Sequence, residues 1–211
     1  MKAVVIGATG AVGKDLVKAL AYDDRYEKVT TFTRRPLGFT HPKIESFIVD
    51  FDRPDTWHHL VKGDVLFSAL GTSLKQAGSK EAQYRIDHDY QLSFARAARE
   101  NGVPAMVLVS SLGADPSSRF FYMKLKGIIE KDVEALHFPG LTILRPPSLV
   151  RKHAKRPAET VSVKLFQLAN TLGLFKTMAP VPTDSVARKM AAAGSRPMEG
   201  VKILSAQETR G

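Results

Sequence analysis

Short apolar runs alternate along this chain with segments in which apolar residues recur every three or four positions. Ala3–Ile6 is such a run and predicts a buried strand, whereas Val12, Leu16 and Leu20 lie at helical spacing directly after it. The same criterion predicts six further strands: Val29–Thr33, Ile44–Val49, Val65–Leu70, Met106–Val109, Leu141–Leu144 and Val201–Leu204. Strands that alternate with helices need crossover connections, so the pattern predicts an α/β fold with a doubly wound parallel sheet.

Helical spacing and the usual helix-ending residues define the rest of the predicted elements. Helices are predicted over residues 79–101, 118–136, 161–172 and 184–193, with a short one over residues 52–60. The alternation of strands and helices stops after Pro147. We therefore predict a single domain over residues 1–211, in which residues 148–211 form a small C-terminal helical cap.

The composition excludes several classes of protein without changing this picture. With 211 residues, 44% of them hydrophobic and 25% charged, the chain is neither disordered nor a collagen nor a coiled-coil rod. No apolar run reaches the roughly 18 residues that span a bilayer, so we expect no membrane partner. The chain has no cysteine, which excludes thiol catalysis and cysteine-ligated zinc. It also fits a reducing compartment, and we expect a cytoplasmic location.

The turn between the first strand and the first helix is rich in glycine. Residues 7–13 form a G-x-x-G-x-x-G loop, in which the glycines permit a tight turn, a close backbone approach and tight packing of the helix. The N–H groups that open the helix can bind a pyrophosphate. The alternative is a glycine-rich turn that binds nothing. We predict a dinucleotide site of a Rossmann-type fold, with contacts from Gly7, Thr9, Gly10, Ala11, Val12 and Gly13.

The ends of the second and third predicted strands indicate which dinucleotide would bind. Arg34 and Arg35 stand where NAD-selective folds usually carry a carboxylate, and a guanidinium can instead bind a 2′-phosphate in a bidentate fork. This favours NADPH, although two solvated arginines are the alternative. Asp50 and Phe51 follow the third strand and are expected to flank the adenine. For Asp50, capping of the turn that begins at Asp52 is an equally good interpretation.

In combination and order, these motifs resemble the short-chain dehydrogenase/reductases. The residues that carry the resemblance are Gly7–Gly13, Arg34-Arg35, Asp50, Ala69–Thr72, Ser110-Ser111 and Tyr122–Lys126. The segments Arg85–Tyr90 and Ser110–Asp115 are similar to the atypical branch that contains the Tat-interactive oxidoreductase-like proteins. The resemblance covers about residues 1–150. It implies cofactor contacts from Ala69, Leu70 and Gly71, and from Arg145 and Pro146 beside the nicotinamide, for which a plain turn is the alternative.

Tyr122 and Lys126 form a Y-x-x-x-K pair on one face of a predicted helix. A nearby ammonium favours the phenolate form of a tyrosine, which can then act as an acid or base. The resemblance implies that Lys126 also holds the nicotinamide ribose. Ser110 and Ser111 end the fifth strand, and the resemblance favours Ser111 as the hydroxyl that polarises the substrate oxygen. Packing of Tyr122 and backbone hydrogen bonds from the serines are the alternatives.

Charge is the one unusual property of the composition, because the chain carries a formal net charge of +10. Much of the excess lies between residues 145 and 176, and the densest part is Arg151–Arg156. This run is either a solvated loop, a clamp for an anionic substrate or the cofactor phosphates, or a patch for nucleic acid or an acidic partner. It lacks interleaved aromatic residues, so nucleic acid is the weakest of the three interpretations.

These features together predict an NADPH-dependent oxidoreductase that transfers a hydride to a small carbonyl-like substrate. One alternative is an NADPH-binding redox sensor without turnover. Asp87 favours it, because extended members of the family often carry asparagine there. A second alternative is nucleic-acid or acidic-partner binding through Arg151–Arg156. The six histidines show no metal-binding spacing, so we predict no metal. A homodimer is compatible with the sequence.

Overall fold

A parallel sheet forms the centre of the molecule in a computed structural model, which describes residues 1–150 and 179–210. Its seven strands, counted over those residues, are β1 (Lys2–Ile6), β2 (Lys28–Thr33), β3 (Ile44–Ile48), β4 (Val65–Ser68), β5 (Ala105–Val109), β6 (Gly140–Leu144) and β9 (Gly200–Leu204). They lie in the order β3-β2-β1-β4-β5-β6-β9, and every pair is parallel. The order reverses between β1 and β4. Ligands of doubly wound sheets bind outside the carboxyl ends of the strands at such a point.

Helices cover both faces of the sheet. Those of the described residues are α1 (Ala11–Ala21), α2 (Leu74–Ala77), α3 (Lys80–Tyr84), α4 (Tyr90–Glu100), α5 (Phe121–Glu134) and α6 (Thr183–Ser195). Helices α1 and α6 pack on one face, and α4 and α5 pack on the other. A two-stranded parallel ladder joins β7 (Leu149–Val150) to β8 (Val181–Pro182). The predicted α/β fold with a doubly wound parallel sheet is confirmed.

Each face of the sheet has its own apolar core. On the α1 and α6 face, Leu16, Phe67 and Met190 are fully buried. On the other face, the rings of Trp57 and Phe94 stack with 3.8 Å between their centroids. Trp57 lies between two short 3₁₀ turns, Pro54–Thr56 and His58–Leu60, which replace the helix predicted over residues 52–60. The two cores determine the positions of the strand ends, and therefore the positions of the loops at the carboxyl edge of the sheet.

The long helix predicted over residues 79–101 contains a wide turn. A π-helical turn, Arg85–Asp89, separates α3 from α4 and brings the side chains of Asp87 and His88 into the interior. Such turns insert one residue into a helix and are frequent at functional sites. The helix ends where the sequence predicted, because Gly102 follows Asn101 with a φ of +81°.

The C-terminal cap predicted over residues 148–211 needs a correction. Helix α6 packs against α1, and β9 extends the main sheet beyond β6, so this part of the segment completes the central fold. The helix predicted over 161–172 lies outside the described residues. Gly194 of α6 shows how close the packing is, since a Cβ there would lie 2.2 Å from Cζ of the buried Phe67.

Gly194→Ala is expected to destabilise the fold by about 1–3 kcal/mol through overpacking, although alanine is the better helix former. Urea unfolding measures the change. Ala192→Ser on the exposed side of the same helix is the control and is expected to stay within about 0.5 kcal/mol of the unmodified chain. Equal stability of the two variants would contradict the placement of α6 in the core.

Candidate functional site

The glycine turn lies at the point where the order of the strands reverses. Gly7 has a φ of +78°, and a Cβ there would lie 2.4 Å from the backbone of Ala69, so the turn rests directly on the end of β4. The N–H of Gly10 donates to Gly7 O at 2.8 Å and closes the turn. Gly10 precedes α1, and no side chain of the described residues caps that helix. The N–H groups of its first turn are therefore available to an anion.

A cavity of about 340 Å³ lies against this turn. It brings together residues from separate parts of the sequence that were predicted to bind one ligand. They are Gly7, Thr9, Arg34, Arg35, Phe51 and Leu70. Ala8, Phe32 and Thr33 also line the cavity. The guanidinium carbon of Arg34 lies 5.8 Å from the centre of the Phe51 ring. Both arginines are exposed, and neither forms an ion pair with a described residue, so two free cations border the cavity.

The structure favours the capping interpretation of Asp50. Its Oδ1 accepts the N–H of Asp52 at 3.0 Å, and its backbone oxygen accepts the indole N–H of Trp57 at 2.8 Å. Phe51, not Asp50, lines the cavity. The side chain of Asp50 therefore holds the turn after β3, and the expectation that Asp50 and Phe51 flank the adenine stays a prediction.

The predicted pair Tyr122 and Lys126 lies on the first turns of α5. Lys126 is only 3% exposed, and its Nζ lies 5.8 Å from the centre of the Tyr122 ring. A Cβ on Gly71 would lie 3.6 Å from the same Nζ, so the loop after β4 passes directly over the ammonium. The phenol, the ammonium and the loop after β4 thus meet at the carboxyl edge of the sheet.

Asp87 is the partner that sequence reasoning did not assign to Lys126. The fully buried carboxylate lies 3.4 Å from Nζ through Oδ2, and its Oδ1 accepts the N–H of Thr72 at 2.7 Å. Burial raises the pKa of Asp87, while the ammonium and the Thr72 N–H lower it. The feature of the sequence that could have indicated this pair is an acidic residue on the helix face whose other residues pack inward.

A buried hydrogen-bond chain holds the wide turn in place. The hydroxyl of Ser68 donates to Oε1 of Gln91 at 2.5 Å, and Nε2 of Gln91 donates to the backbone oxygen of Asp87 at 2.6 Å. From the other side, Nε2 of Gln83 donates to Thr72 O at 3.0 Å. The buried side chains of Ser68, Gln83 and Gln91 therefore each have a hydrogen-bond partner, as buried polar groups usually require. Ser68, Gln83 and Gln91 belong to no recognisable sequence motif, so the sequence did not predict these hydrogen bonds.

The two serines after β5 differ in what their hydroxyls contact. Ser111 donates to Leu112 O at 3.3 Å. Ser110 is buried, and its Oγ has no hydrogen-bond partner among the described residues. A buried hydroxyl without a partner is costly unless a ligand satisfies it. The geometry thus favours Ser110, whereas the resemblance favoured Ser111.

Arg145 does not carry a free charge at this edge. Its guanidinium binds Glu130 of α5 through Nε at 3.1 Å, and this hydrogen bond raises the pKa of Arg145. The side chain of Arg145 is thus held by Glu130, and the contact with a nicotinamide that the resemblance implies stays a prediction. Pro146 accepts the N–H of Leu112 through its backbone oxygen at 2.9 Å, joining the loops after β5 and β6. The basic run Arg151–Arg156 lies outside the described residues.

The arrangement suits a phosphate-bearing dinucleotide. The open N–H groups of α1 and the exposed arginines can hold phosphates. The buried Ser110 hydroxyl, which follows β5 at the same edge of the sheet, still has a hydrogen bond to give. Among the described residues no group of three or more metal-ligating side chains could hold a metal ion. Within the same residues, no helix has the length and hydropathy to cross a membrane.

Comparison with known proteins gives the same class of ligand. A family model described as "NAD(P)H-binding" matches residues 7–197. The chain is 36% identical over 216 residues to "Protein FMP52, mitochondrial" of Eremothecium gossypii, covering 99% of this chain and 95% of that protein. It is 42% identical over 155 residues to the Saccharomyces cerevisiae protein of the same name, covering 71% of this chain and 66% of that protein.

Solved structures share the fold at low sequence identity. MoeE5 in complex with UDP-glucose and NAD superimposes with a TM-score of 0.74 at 16% identity, covering 99% of this chain and 79% of that one. The oxidoreductase ylbE from Lactococcus lactis gives 0.70 at 18% identity, covering 99% and 94%. The predicted Rossmann-type α/β fold and the binding of a nicotinamide cofactor are confirmed. The cytoplasmic location expected from the lack of cysteine is wrong, because the related FMP52 proteins are named mitochondrial.

Lys126→Met is expected to destabilise the fold by about 3–5 kcal/mol at neutral pH, because it leaves the buried Asp87 carboxylate without its counter-ion. The loss of Lys126 raises the pKa of Asp87 further. Below the unfolded value of about 3.9 the carboxyl is protonated in both states and the penalty is small. The penalty therefore grows as the pH rises from the unfolded value toward the raised folded-state pKa, and it is complete above that pKa.

Urea unfolding at several pH values measures this dependence. Lys131→Met on an exposed position of the same helix is the control and is expected to cost little at any pH. Adding Asp87→Asn to Lys126→Met should recover part of the stability at neutral pH. A penalty of the same size at pH 4 and pH 7.5 would show that Lys126 stabilises the fold only by packing.

Proposed function

The chain belongs to the NAD(P)H-binding family, and we propose that it is an NADPH-dependent oxidoreductase that reduces a carbonyl group. The observation that carries the proposal is the position of Tyr122 beside the buried Lys126, below Gly71 of the loop after β4, whose neighbour Leu70 lines the cavity. A tyrosine next to an ammonium is a suitable proton donor for a developing alkoxide. The family match supports the binding of a nicotinamide cofactor, and the preference for NADPH and the reduction of a carbonyl group are what we add.

The choice of NADPH rests on Arg34 and Arg35. Both follow β2, border the cavity beside Phe51 and lack an ionic partner among the described residues. A 2′-phosphate would give these two arginines an ionic partner, through bidentate hydrogen bonds that a ribose hydroxyl cannot form. A carboxylate at this position would favour NADH by accepting hydrogen bonds from the ribose hydroxyls.

Bound NADPH supplies a hydride to the carbonyl carbon. Tyr122 donates its phenolic proton to the carbonyl oxygen as negative charge develops there. Lys126 stabilises the resulting phenolate, and Asp87 keeps the ammonium in place. The Ser110 hydroxyl donates a hydrogen bond to the same substrate oxygen, which gives its buried Oγ a partner. Solvent then returns a proton to Tyr122.

A mitochondrial location is part of the proposal. The relatives named FMP52 carry that location in their names, and one of them aligns with nearly the whole of this chain. The lack of cysteine is compatible with such a location, because it means only that the chain needs no disulfide.

Arg34→Asp is expected to weaken NADPH binding about 10- to 100-fold, because one charge-assisted contact with the 2′-phosphate is lost and a repulsive charge is added. NADH binding should change little or improve. Titration calorimetry with both cofactors measures the two affinities. Arg196→Asp makes the same change of charge at an exposed residue outside the cavity and is the control. Equal affinity of the unmodified chain for NADH and NADPH would contradict the role of the arginines.

Tyr122→Phe is expected to lower kcat for carbonyl reduction by about 10²- to 10⁴-fold and to leave the affinity for NADPH unchanged. NADPH oxidation over a panel of aldehydes and ketones provides the measurement. Tyr22→Phe removes a hydroxyl from an exposed tyrosine of the C-terminal end of α1 and is the control. An unchanged kcat would reject Tyr122 as the acid. Tight NADPH binding without turnover on any carbonyl would favour the redox-sensor alternative.

A further inference from the structure

A second cavity, of about 380 Å³, lies near the amino ends of the first strands, away from the edge of the sheet that carries the glycine turn. Its lining comes from β1, β2 and β3 and from the chain around the 3₁₀ turn His58–Leu60. Lys2 and Lys28 open β1 and β2 and stand side by side in the parallel register. Among the described residues, none lines both this cavity and the cofactor cavity. We call it the amino-edge cavity.

Two apolar side chains form one wall of the amino-edge cavity. Phe47 and Leu60 are partly buried, and both pack against the core on the α4 side of the sheet. The Phe47 ring stacks on Phe32 with 5.5 Å between centroids. The turn that carries Leu60 is held by Asn101, whose Nδ2 donates to His58 O at 2.7 Å. The wall is therefore fixed by its own contacts, as in most ligand sites, which are largely formed before a ligand binds.

The charged side chains around the cavity are mostly positive and only partly balanced. The Lys28 ammonium pairs with Glu45 at 2.9 Å. Lys2 and Lys62 are exposed, and neither ammonium forms an ion pair with a described residue. Asp64, the next carboxylate along the chain, accepts the backbone N–H of Lys2 at 2.7 Å. An anion in this cavity would therefore meet two ammonium groups that have no acidic partner among the described residues.

The hydroxyl of Thr30 gives independent evidence for a polar ligand. Thr30 lines the cavity, is only 6% exposed, and its hydroxyl forms no hydrogen bond with a described residue. It lies two residues after Lys28 in β2, so the two side chains are on the same face of the sheet. A buried hydroxyl without a partner is costly unless a ligand satisfies it. A carboxylate oxygen would accept this hydrogen bond.

We propose that the amino-edge cavity binds a carboxylate that carries an apolar body, such as the chain of a medium-length fatty acid. The Thr30 hydroxyl donates to a carboxylate oxygen, and the ammonium groups of Lys2 and Lys62 balance its charge. The apolar body lies against Phe47 and Leu60. A small anion would leave this wall uncovered, and a neutral apolar molecule would leave the two ammonium groups unpaired. The site is separate from the cofactor cavity and does not depend on the proposed function.

Amide NMR spectra of the ¹⁵N-labelled full chain at pH 7.5 test the proposal, with octanoate, 1-octanol and acetate as the probes. Octanoate is expected to shift the amides of residues 28–30, 45–47 and 59–62 and to leave those of the glycine turn, residues 7–13, in place. Octanol and acetate should each bind about tenfold more weakly, because each lacks one half of the recognised structure. From butanoate to octanoate, each methylene should raise the affinity about twofold, less than for full burial because the wall is partly exposed.

Two conservative variants test the polar contacts. Thr30→Val is expected to weaken octanoate binding about tenfold and to leave octanol binding unchanged, because it removes one hydrogen bond to a charged group. The hydroxyl has no protein partner to lose and valine suits a strand, so the variant should fold. Thr142→Val, at an equally buried threonine of β6 outside the cavity, is its control. Lys62→Gln should weaken octanoate binding about threefold, whereas Lys131→Gln on the exposed side of α5 should not.

Several results would overturn the proposal. Octanol that binds as tightly as octanoate would show that the charged groups take no part. Shifts at residues 7–13 that Arg34→Asp abolishes would place the anion in the cofactor cavity instead. Equal effects of Lys62→Gln and Lys131→Gln would mean that octanoate responds only to the net charge of +10. Thr30→Val is expected to leave NADPH affinity unchanged, so failure of this inference and failure of the proposed function are distinguishable.

Discussion

A buried ammonium is tolerated inside a protein only beside a carboxylate that is held as firmly as the ammonium itself. In this chain the requirement concerns Lys126 and Asp87, whose charged atoms are 3.4 Å apart. The pair joins three elements, because Lys126 belongs to α5, Asp87 to the wide turn before α4, and Thr72, which donates to Asp87, to the loop after β4. The positions of the phenol of Tyr122 and of the loop that borders the cofactor cleft both depend on this pair.

The wide turn that carries Asp87 also reaches the other end of the cleft. Arg85 begins the turn and pairs with Asp52 at 2.6 Å, and Asp52 also accepts the hydroxyl of Tyr90 at 2.7 Å. The Tyr90 ring in turn meets Phe51 edge to face, with 5.5 Å between centroids, and Phe51 lines the cavity. One π-helical turn therefore supports both the wall of the dinucleotide cavity and the counter-ion of Lys126. A regular helix over residues 79–101 would have to move one of these side chains out of place, because the extra residue changes the direction of every side chain that follows.

Features that depend on local sequence were predictable, and features that depend on a distant partner were not. The seven strands of the main sheet were predicted to within two residues, and the glycine turn and Arg34 lie together at one cavity, because periodicity and turn chemistry are local properties. Asp87, by contrast, was interpreted as a departure from the family, since nothing near it in the sequence identifies Lys126 as its partner. The pairing of Arg145 with Glu130 was missed for the same reason. The C-terminal cap was misjudged because the strand that completes the sheet follows a long interval in which the alternation of strands and helices stops.

The distribution of paired and unpaired charge gives the cleft two chemically different ends. A net charge of +10 suggests an affinity for anions everywhere, but the charge acts only where no carboxylate balances it. At the glycine turn, Arg34 and Arg35 have no acidic partner among the described residues, and the N–H groups of α1 add a positive dipole end. Nearer Tyr122, the buried Lys126 is paired with Asp87, and the partly exposed Arg145 is paired with Glu130. In the proposed function, the end with unpaired arginines holds the phosphates of the dinucleotide, and the end with the Lys126–Asp87 pair holds the group that reacts.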